Sequence, residues 1–404
     1  MKLHRSLVEA VIYALQQIFQ ENRQADKVIE YVLKSNKKWG ARDRGFIAEN
    51  VYEIVRWWRK LNVDGNFPSP SGEGSGMGLF WQVFANWLII NKIELPKWIE
   101  FDRINAAKIL KNYEEGLKIR KIRESIPDWL DEIGEKELGN NWDAELHALN
   151  QQAPVILRTN TLQMSRNQLQ DYLSAIGIET ETVADLPEAL ILKKRTNVFS
   201  TELFKQGNFE VQDAGSQYIA PFLDVDAGMR VVDACAGAGG KTLHLAALMQ
   251  NKGRIISMDV EEWKLQELKR RAKRNNVQNV ETRLIEPKTI KRMKDSADRL
   301  LLDVPCSGLG VLRRNPDAKW KLKPEFIENI KKTQYEILSN YSQILKKGGK
   351  MVYATCSILP SESEEQVQRF LKESPNQWKF IDEKRVSPAK DGFDGFYMAL
   401  LEKL

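Results

Sequence analysis

Three cysteines and three histidines in 404 residues are too few for much of the chemistry that sulfur and imidazole support. Cys235, Cys306 and Cys356 cannot build the disulfide framework of a secreted domain, so a reducing cytoplasm is the expected compartment. No zinc or other metal site is expected, because Cys306 and Cys356 are isolated and His4, His147 and His244 lie in unrelated segments. A Cys–His hydrolase lacks an obvious base, since His244 belongs on the helix after a glycine-rich turn. Long hydrophobic runs are also missing: the strongest, Val83 to Ile90, is short and holds Asn86, so no integral membrane span is expected. Residues 1–20 set Lys2, Arg5 and Glu9 among Leu7, Val11, Ala14, Leu15 and Ile18 without a small-residue cleavage site, which reads as a packed helix and not a signal peptide. Neither charge dominates. The 61 basic and 55 acidic residues leave +6, compatible with a polyanionic partner but too mild to establish one.

What is present is an ordinary globular composition, 42% hydrophobic and 29% charged, at a length that suggests two or three domains. Residues 1–125 carry apolar residues three or four apart, as in Ile47, Val51, Ile54, Val55 and Trp58, and read as an all-α domain. Its tryptophans, Trp57, Trp58, Trp81, Trp87 and Trp98, fit a helical core better than base stacking. A low-complexity break, Gly65 to Gly78, is expected to be a flexible loop between helices. Residues 126–210 read as a small α/β intermediate domain, with strands Val155 to Asn160 and Ala189 to Leu192 around a capped helix from Ser165 to Ile176. From 211 to 404 apolar runs alternate with helical patterns: Arg230–Asp233, Arg254–Asp259, Arg299–Asp303 and Lys350–Thr355. Such alternation predicts a parallel sheet covered on both faces, with ligands at the carboxyl ends of its strands.

At the first of those ends stands Asp233-Ala-Cys-Ala-Gly-Ala-Gly-Gly-Lys-Thr242, whose glycines let backbone approach a ligand closely. A plain strained turn is the alternative. Gly240-Lys-Thr242 suggests a phosphate-binding loop, but Cys235 stands where that motif requires glycine. Gly237-x-Gly239 begins a dinucleotide fingerprint, yet Thr242 occupies the next glycine position. Asp259, at the end of the second strand, could still accept hydrogen bonds from a ribose, which leaves an adenosine-containing ligand without a pyrophosphate.

Two further strand ends carry cysteine: Asp303-Val-Pro-Cys306-Ser-Gly-Leu-Gly310 and Ala354-Thr-Cys356-Ser. One such cysteine reads as a small buried apolar residue; two at one sheet edge suggest chemistry. Together with the glycine turn, Val211-Gln-Asp-Ala-Gly-Ser-Gln217, Arg313-Arg-Asn-Pro-Asp-Ala-Lys-Trp320 and Asp394-Gly-Phe-Tyr-Met-Ala399, they resemble the Sun/RsmB family of RNA cytosine-5 methyltransferases over residues 150–404. The helical region resembles that family's NusB-like RNA-binding domain only loosely. The resemblance implies a Rossmann-like methyltransferase sheet with an antiparallel final strand near Phe396–Leu401, and S-adenosylmethionine as methyl donor. By similarity, Cys235, Ala236, Gly237, Ala238, Gly239, Gly240 and Lys241 wrap the cofactor, Asp259 holds its ribose, Glu286 faces its adenine, and Asp303 lies between methionine and the target base. The chain departs from the family at Ala238, usually Pro, at Glu286, commonly Asp, and at Ser363, often Asn.

The resemblance further implies that the Cys356 thiolate adds to carbon 6 of cytosine, because carbon 5 is too poor a nucleophile by itself. Cys306 then assists loss of the carbon 5 proton and release of the enzyme, and Asp303 hydrogen-bonds ring nitrogen 3. A free thiol ionises near 8.5, so Cys356 needs a cationic neighbour, for which Lys241 is the candidate. The expected partner is RNA, ribosomal RNA before transfer RNA. A non-catalytic assembly factor, or a DNA methylase with its nucleophile in the Pro-Cys motif, are the competing readings. Phosphates could meet Lys118, Arg120, Lys121 and Arg123, or Arg313, Arg314, Lys319, Lys321 and Lys323, although either run also reads as a solvated face. The run Lys264 to Arg274 reads as a solvent-facing helix without a function.

Overall fold

The computed structural model describes residues 3–62 and 77–404. Two compact units emerge, one of Met1–Gln151 with Leu312–Pro324, the other of Gln152–Val311 with Glu325–Leu404.

The first unit is helical because its apolar residues recur at helical spacing. Helix Arg5–Phe19 buries Leu7, Val8, Val11, Ile12, Ala14, Leu15 and Ile18 along one face. Helix Ala41–Arg56 adds Ile47, Val51, Ile54 and Val55, and Trp58 opens the next short helix, stacked on Phe19 at 4.0 Å between ring centroids. Trp58 and Trp81 are buried, and Trp57, Trp87 and Trp98 pack against the same core, so these rings serve the fold. The loop expected from Gly65 to Gly78 lies outside the described residues except for its last two, which open helix Met77–Ile90. Residues 312–324 are pinned into this unit, with Trp320 Nε1 donating to the Val55 carbonyl (2.7 Å) and the Ala25 N–H donating to Asp317 Oδ2 (3.0 Å). Among the described residues no helix is long and apolar enough to cross a membrane.

The second unit holds eleven strands: β1 (Ile156–Thr159), β2 (Thr180–Val183), β3 (Leu186–Leu192), β4 (Phe209–Val211), β5 (Arg230–Asp233), β6 (Arg254–Asp259), β7 (Val280–Leu284), β8 (Ala297–Asp303), β9 (Leu345–Thr355), β10 (Trp378–Val386) and β11 (Phe396–Lys403). The first four form a sheet in the order β2-β3-β1-β4 and the rest a sheet in the order β10-β11-β9-β8-β5-β6-β7. From β7 to β9 neighbours run parallel, while β11 pairs antiparallel with both β9 and β10. That is the Rossmann-like methyltransferase sheet with its reversed final strand, as the sequence motifs imply. Its central strands read as unbroken apolar runs because both faces are covered: Val232, Leu300, Leu302, Met351 and Tyr353 enter one core, Val231, Leu301, Val352 and Ala354 the other. The parallel strands β5, β6, β8 and β9 therefore deliver Asp233, Asp259, Asp303 and Thr355 to one edge.

Candidate active site

After Asp233 the chain turns into helix Gly240–Leu248. Gly237 and Gly239 adopt φ of +53° and +86°, and a Cβ on Gly239 would stand 2.5 Å from Leu268 Cγ, so side chains are excluded twice over at that position. Asp259 is buried at the end of β6, where Oδ2 accepts from the Gly237 N–H (2.9 Å) and Oδ1 from the Glu261 N–H (2.9 Å). Two arginines satisfy the carbonyls of the turn. Arg271 Nη1 donates to Ala238 (2.8 Å), and Arg158 Nη1, from β1, donates to Gly240 (2.8 Å). Burial pulls the Arg158 guanidinium down to about 10, which leaves it charged at neutral pH. Glu210 on β4 binds Arg271 Nη2 (3.0 Å) and Arg274; burial pushes its carboxyl up, but the two arginines outweigh that and hold it below the usual range. The run Lys264 to Arg274, expected to be a solvent-facing helix without a role, thus contributes a half-buried prop of the turn: Arg271 is turned inward by Glu210.

In front of the turn lies a cleft of about 320 Å³. Asp233, Cys235, Ala236, Gly237, Ala238, Gly240, Lys241 and Asp303 line it, joined by Val211, Gln212, Ser216 and Arg271. Gly239 and Asp259 are not among the lining residues. Glu286 is exposed in the loop after β7, its N–H donating to Thr289 Oγ1 (2.9 Å), and is not among the lining residues. Asp233 was not singled out in the sequence, although its place at a strand end before the glycines was a usable signal. Its Oδ2 accepts from Thr242 Oγ1 (2.7 Å), while Oδ1 is buried without a hydrogen-bond partner among the described residues. Burial, reinforced by the charges of Asp303 and Asp259, pushes the Asp233 carboxyl up to about 7 against the pull of Thr242 and Lys241. Burial and the same three acids push the Cys235 thiol well up, so it is neutral at physiological pH.

Beside the cleft β8 and β9 pair with Asp303 opposite Ala354, and the turns that follow bring Cys306 Sγ within 3.0 Å of Cys356 Sγ. Both thiols are free. The hydrogen bond to Cys356, then burial, then the charges of Cys356 and Glu362 push the Cys306 thiol well above its ordinary value, so it retains its proton. Lys241 Nζ donates to Asp303 Oδ2 at 2.5 Å. Burial alone would pull its ammonium down, but the charge and hydrogen bond of Asp303, followed by the charges of Cys356 and Asp233, raise it instead. Lys241 is therefore a fixed cation whose hydrogen bond goes to Asp303 and whose field reaches Cys356. Behind the cysteines the backbone packs tightly: the Gly310 N–H donates to the Cys356 carbonyl (2.9 Å) and the Gly395 N–H to the Gly310 carbonyl (2.8 Å).

The basic runs fare differently from expectation. Lys319 is buried, donating to Asn150 Oδ1 (3.1 Å), and burial with the Arg56 charge pulls its ammonium well down. Lys321 donates to Asp317 (2.6 Å) and to the Arg23 carbonyl (2.6 Å), and Arg313 is buried. Arg313, Lys319 and Lys321 are built into the first unit, which corrects the expectation that they meet phosphates; of the three lysines Lys323 is exposed. In the other run Arg120 pairs with Asp131 and Glu135, Lys121 with Asp128, and Arg123 with Glu124 and Asp143, leaving Lys118 exposed.

Comparison with known proteins places this geometry. Residues 220–402 match the family model for 16S rRNA methyltransferase RsmB/F, and residues 126–199 match that for the RsmF/B-like ferredoxin-like domain. A probable ribosomal RNA small subunit methyltransferase B from Synechocystis sp. is 35% identical, with 89% of this chain and 91% of the relative covered. The ribosomal RNA small subunit methyltransferase B of Vibrio cholerae is 33% identical, with 74% and 72% covered. Among solved structures, a methyltransferase homolog protein from Pyrococcus horikoshii is similar at a TM-score of 0.63 and 27% identity, covering 70% of this chain and 98% of that one. NSun6 from the same organism, crystallised with SFG, shares the fold at a TM-score of 0.64 and 21% identity, covering 69% and 99%.

Proposed function

The chain belongs to the RsmB/F family of RNA methyltransferases, and from that premise we propose that it methylates carbon 5 of a cytosine in small-subunit ribosomal RNA through a covalent cysteine adduct. The approach of the Cys306 and Cys356 sulfurs to 3.0 Å beside the Asp303–Lys241 pair carries this reading. The cleft suits S-adenosylmethionine, the family's methyl donor. Its acids and the unpartnered Asp233 Oδ1 match a ligand bearing two cationic centres, and the side-chain-poor turn admits an adenosyl group close to the backbone. Asp233 and the backbone of Cys235 to Gly240 would hold it, with Asp259 bracing the turn. When bound, this cofactor supplies a methyl group activated on a sulfonium.

The remaining chemistry belongs to the chain. Cytosine must leave its stack to reach a strand-end pocket, at a cost of a few kcal/mol. Cys356 is assigned the addition to carbon 6, which makes carbon 5 nucleophilic. Asp303 is assigned to ring nitrogen 3, which takes a proton through the Asp303–Lys241 pair as the thiolate adds and returns it when the adduct collapses. Cys306, 3.0 Å from Cys356, is assigned to assist loss of the carbon 5 proton, once its own proton has passed to solvent; the carbon 5–carbon 6 double bond then re-forms and the Cys356 thiolate leaves. Incubation of the full chain with S-adenosylmethionine and small-subunit ribosomal RNA, followed by nucleoside mass spectrometry, tests the reading. We expect 5-methylcytidine; methylation only at an exocyclic nitrogen or a ribose would overturn it.

A further inference from the structure

Each cysteine of the pair is followed by a serine, Cys306-Ser307 and Cys356-Ser357, and both serines converge on one carboxylate. Glu362, in the single turn Pro360–Glu362, is fully buried. Its Oε1 accepts from Ser307 Oγ (2.5 Å) and Ser357 Oγ (2.6 Å), and its Oε2 from the Ser307 N–H (2.8 Å) and Gln334 Nε2 (3.0 Å). Gln334 also donates to the Pro305 carbonyl (3.0 Å), and Tyr353 Oη donates to the Glu362 carbonyl (2.8 Å). Four neutral donors saturate this carboxylate, and no cation is paired with it among the described residues. A buried charge held this way is costly unless every lone pair is met, so the arrangement is sensitive to the loss of any one donor.

We propose that Glu362 is a positioning residue for the two sulfurs, fixing both Cys-Ser turns from behind. The inference rests on the assignment of Cys356 as nucleophile and deepens it. Two thiols in contact would otherwise compete for one role. The titratable groups around the pair are Lys241, whose field reaches Cys356, Asp303 at the end of β8, Tyr353 on β9, and Glu362 on the Cys306 side. Negative charge at Glu362 helps to keep the proton on Cys306, while the Lys241 ammonium is held by Asp303 at the end of β8.

Glu362→Gln separates charge from shape. With its oxygen toward the two N–H donors and its amide nitrogen toward the two serine hydroxyls, which can accept, glutamine retains all four contacts without the charge. The probe is iodoacetamide on the full-length protein over a range of pH, with each cysteine followed by peptide mass spectrometry, alongside methyl transfer to small-subunit ribosomal RNA. In a folded Glu362→Gln variant we expect Cys306 to alkylate about tenfold faster at a given pH, and kcat to fall about tenfold with KM for RNA unchanged. Alkylation profiles and kcat that superimpose on wild type would overturn the proposal. Should this variant fail to fold, Ser357→Ala carries the test: about a threefold loss in kcat at constant KM is expected, and wild-type kcat refutes it. A wild-type RNA adduct found on Cys306 instead of Cys356 would sink the nucleophile assignment, while the alkylation profiles would still decide the role of Glu362.

Discussion

The two ends of the site are held by different means. At the cleft, the glycine-rich turn is held through its carbonyls by Arg158 on the smaller sheet and Arg271 on a neighbouring helix. At the cysteine end reactive side chains stand on turns tied through two serines to one buried carboxylate. In the proposed reaction, the first construction would set where a ligand rests, and the second which atoms react. Damage to one end should therefore leave the other intact.

The sharpest break of that independence would come from Cys356→Ala. We expect methyl transfer to drop by at least about a thousandfold, since the proposed adduct at Cys356 cannot form, while calorimetric affinity for S-adenosylmethionine stays unchanged. Lost cofactor affinity would mean that the ends are coupled. Next comes Cys306→Ala, which should slow release enough to leave a protein–RNA adduct stable on denaturing gels; full turnover without an adduct would deny Cys306 its part. At the opposite end, Arg271→Ala removes a charged hydrogen bond to the turn and one of the two arginines paired with Glu210, and cofactor affinity should weaken by about tenfold or more while the iodoacetamide rate at Cys356 holds.

The smallest effect concerns protonation. Asp233, raised to about 7, is half-neutral near physiological pH without ligand, and a cationic ligand favours its ionised form. Cofactor affinity should accordingly be full above pH 7 and fall by up to about tenfold per pH unit below it, as a proton must be expelled on binding. Titration calorimetry of Asp233→Asn should give weaker but pH-independent binding over that range.

Legibility in the sequence followed burial. The predicted strands Arg230–Asp233 and Arg254–Asp259 match β5 and β6 residue for residue, and the runs ending at Asp303 and Thr355 locate β8 and β9, because a doubly covered strand must be apolar throughout. The four strands not foreseen, β2, β4, β7 and β10, are the four sheet edges. Val280-Glu-Thr-Arg-Leu284 and Trp378-Lys-Phe-Ile-Asp-Glu-Lys-Arg-Val386 carry the polar and charged side chains that solvent-facing edges demand, which erases the hydrophobic signal. The site divides likewise. Glycine turn and cysteines were visible as local motifs, whereas Arg158, Arg271 and Glu362 act on segments they approach only after folding, a relation that spacing along one chain does not record. Lys319 shows the converse: a basic residue in a charged run is assigned to solvent by composition, yet the first unit buries it.

The close packing behind Cys356 carries a consequence for the gene. A Cβ at Gly310 would lie 2.1 Å from the Gly395 carbonyl oxygen, and β11 continues from that contact to pair Tyr397 with Thr355. Every side chain assigned to the reaction or to its positioning precedes residue 363, but the floor beneath the nucleophile is laid by Gly395 and β11. A nonsense codon near position 390 would thus spare the whole reactive inventory and still yield an inert product.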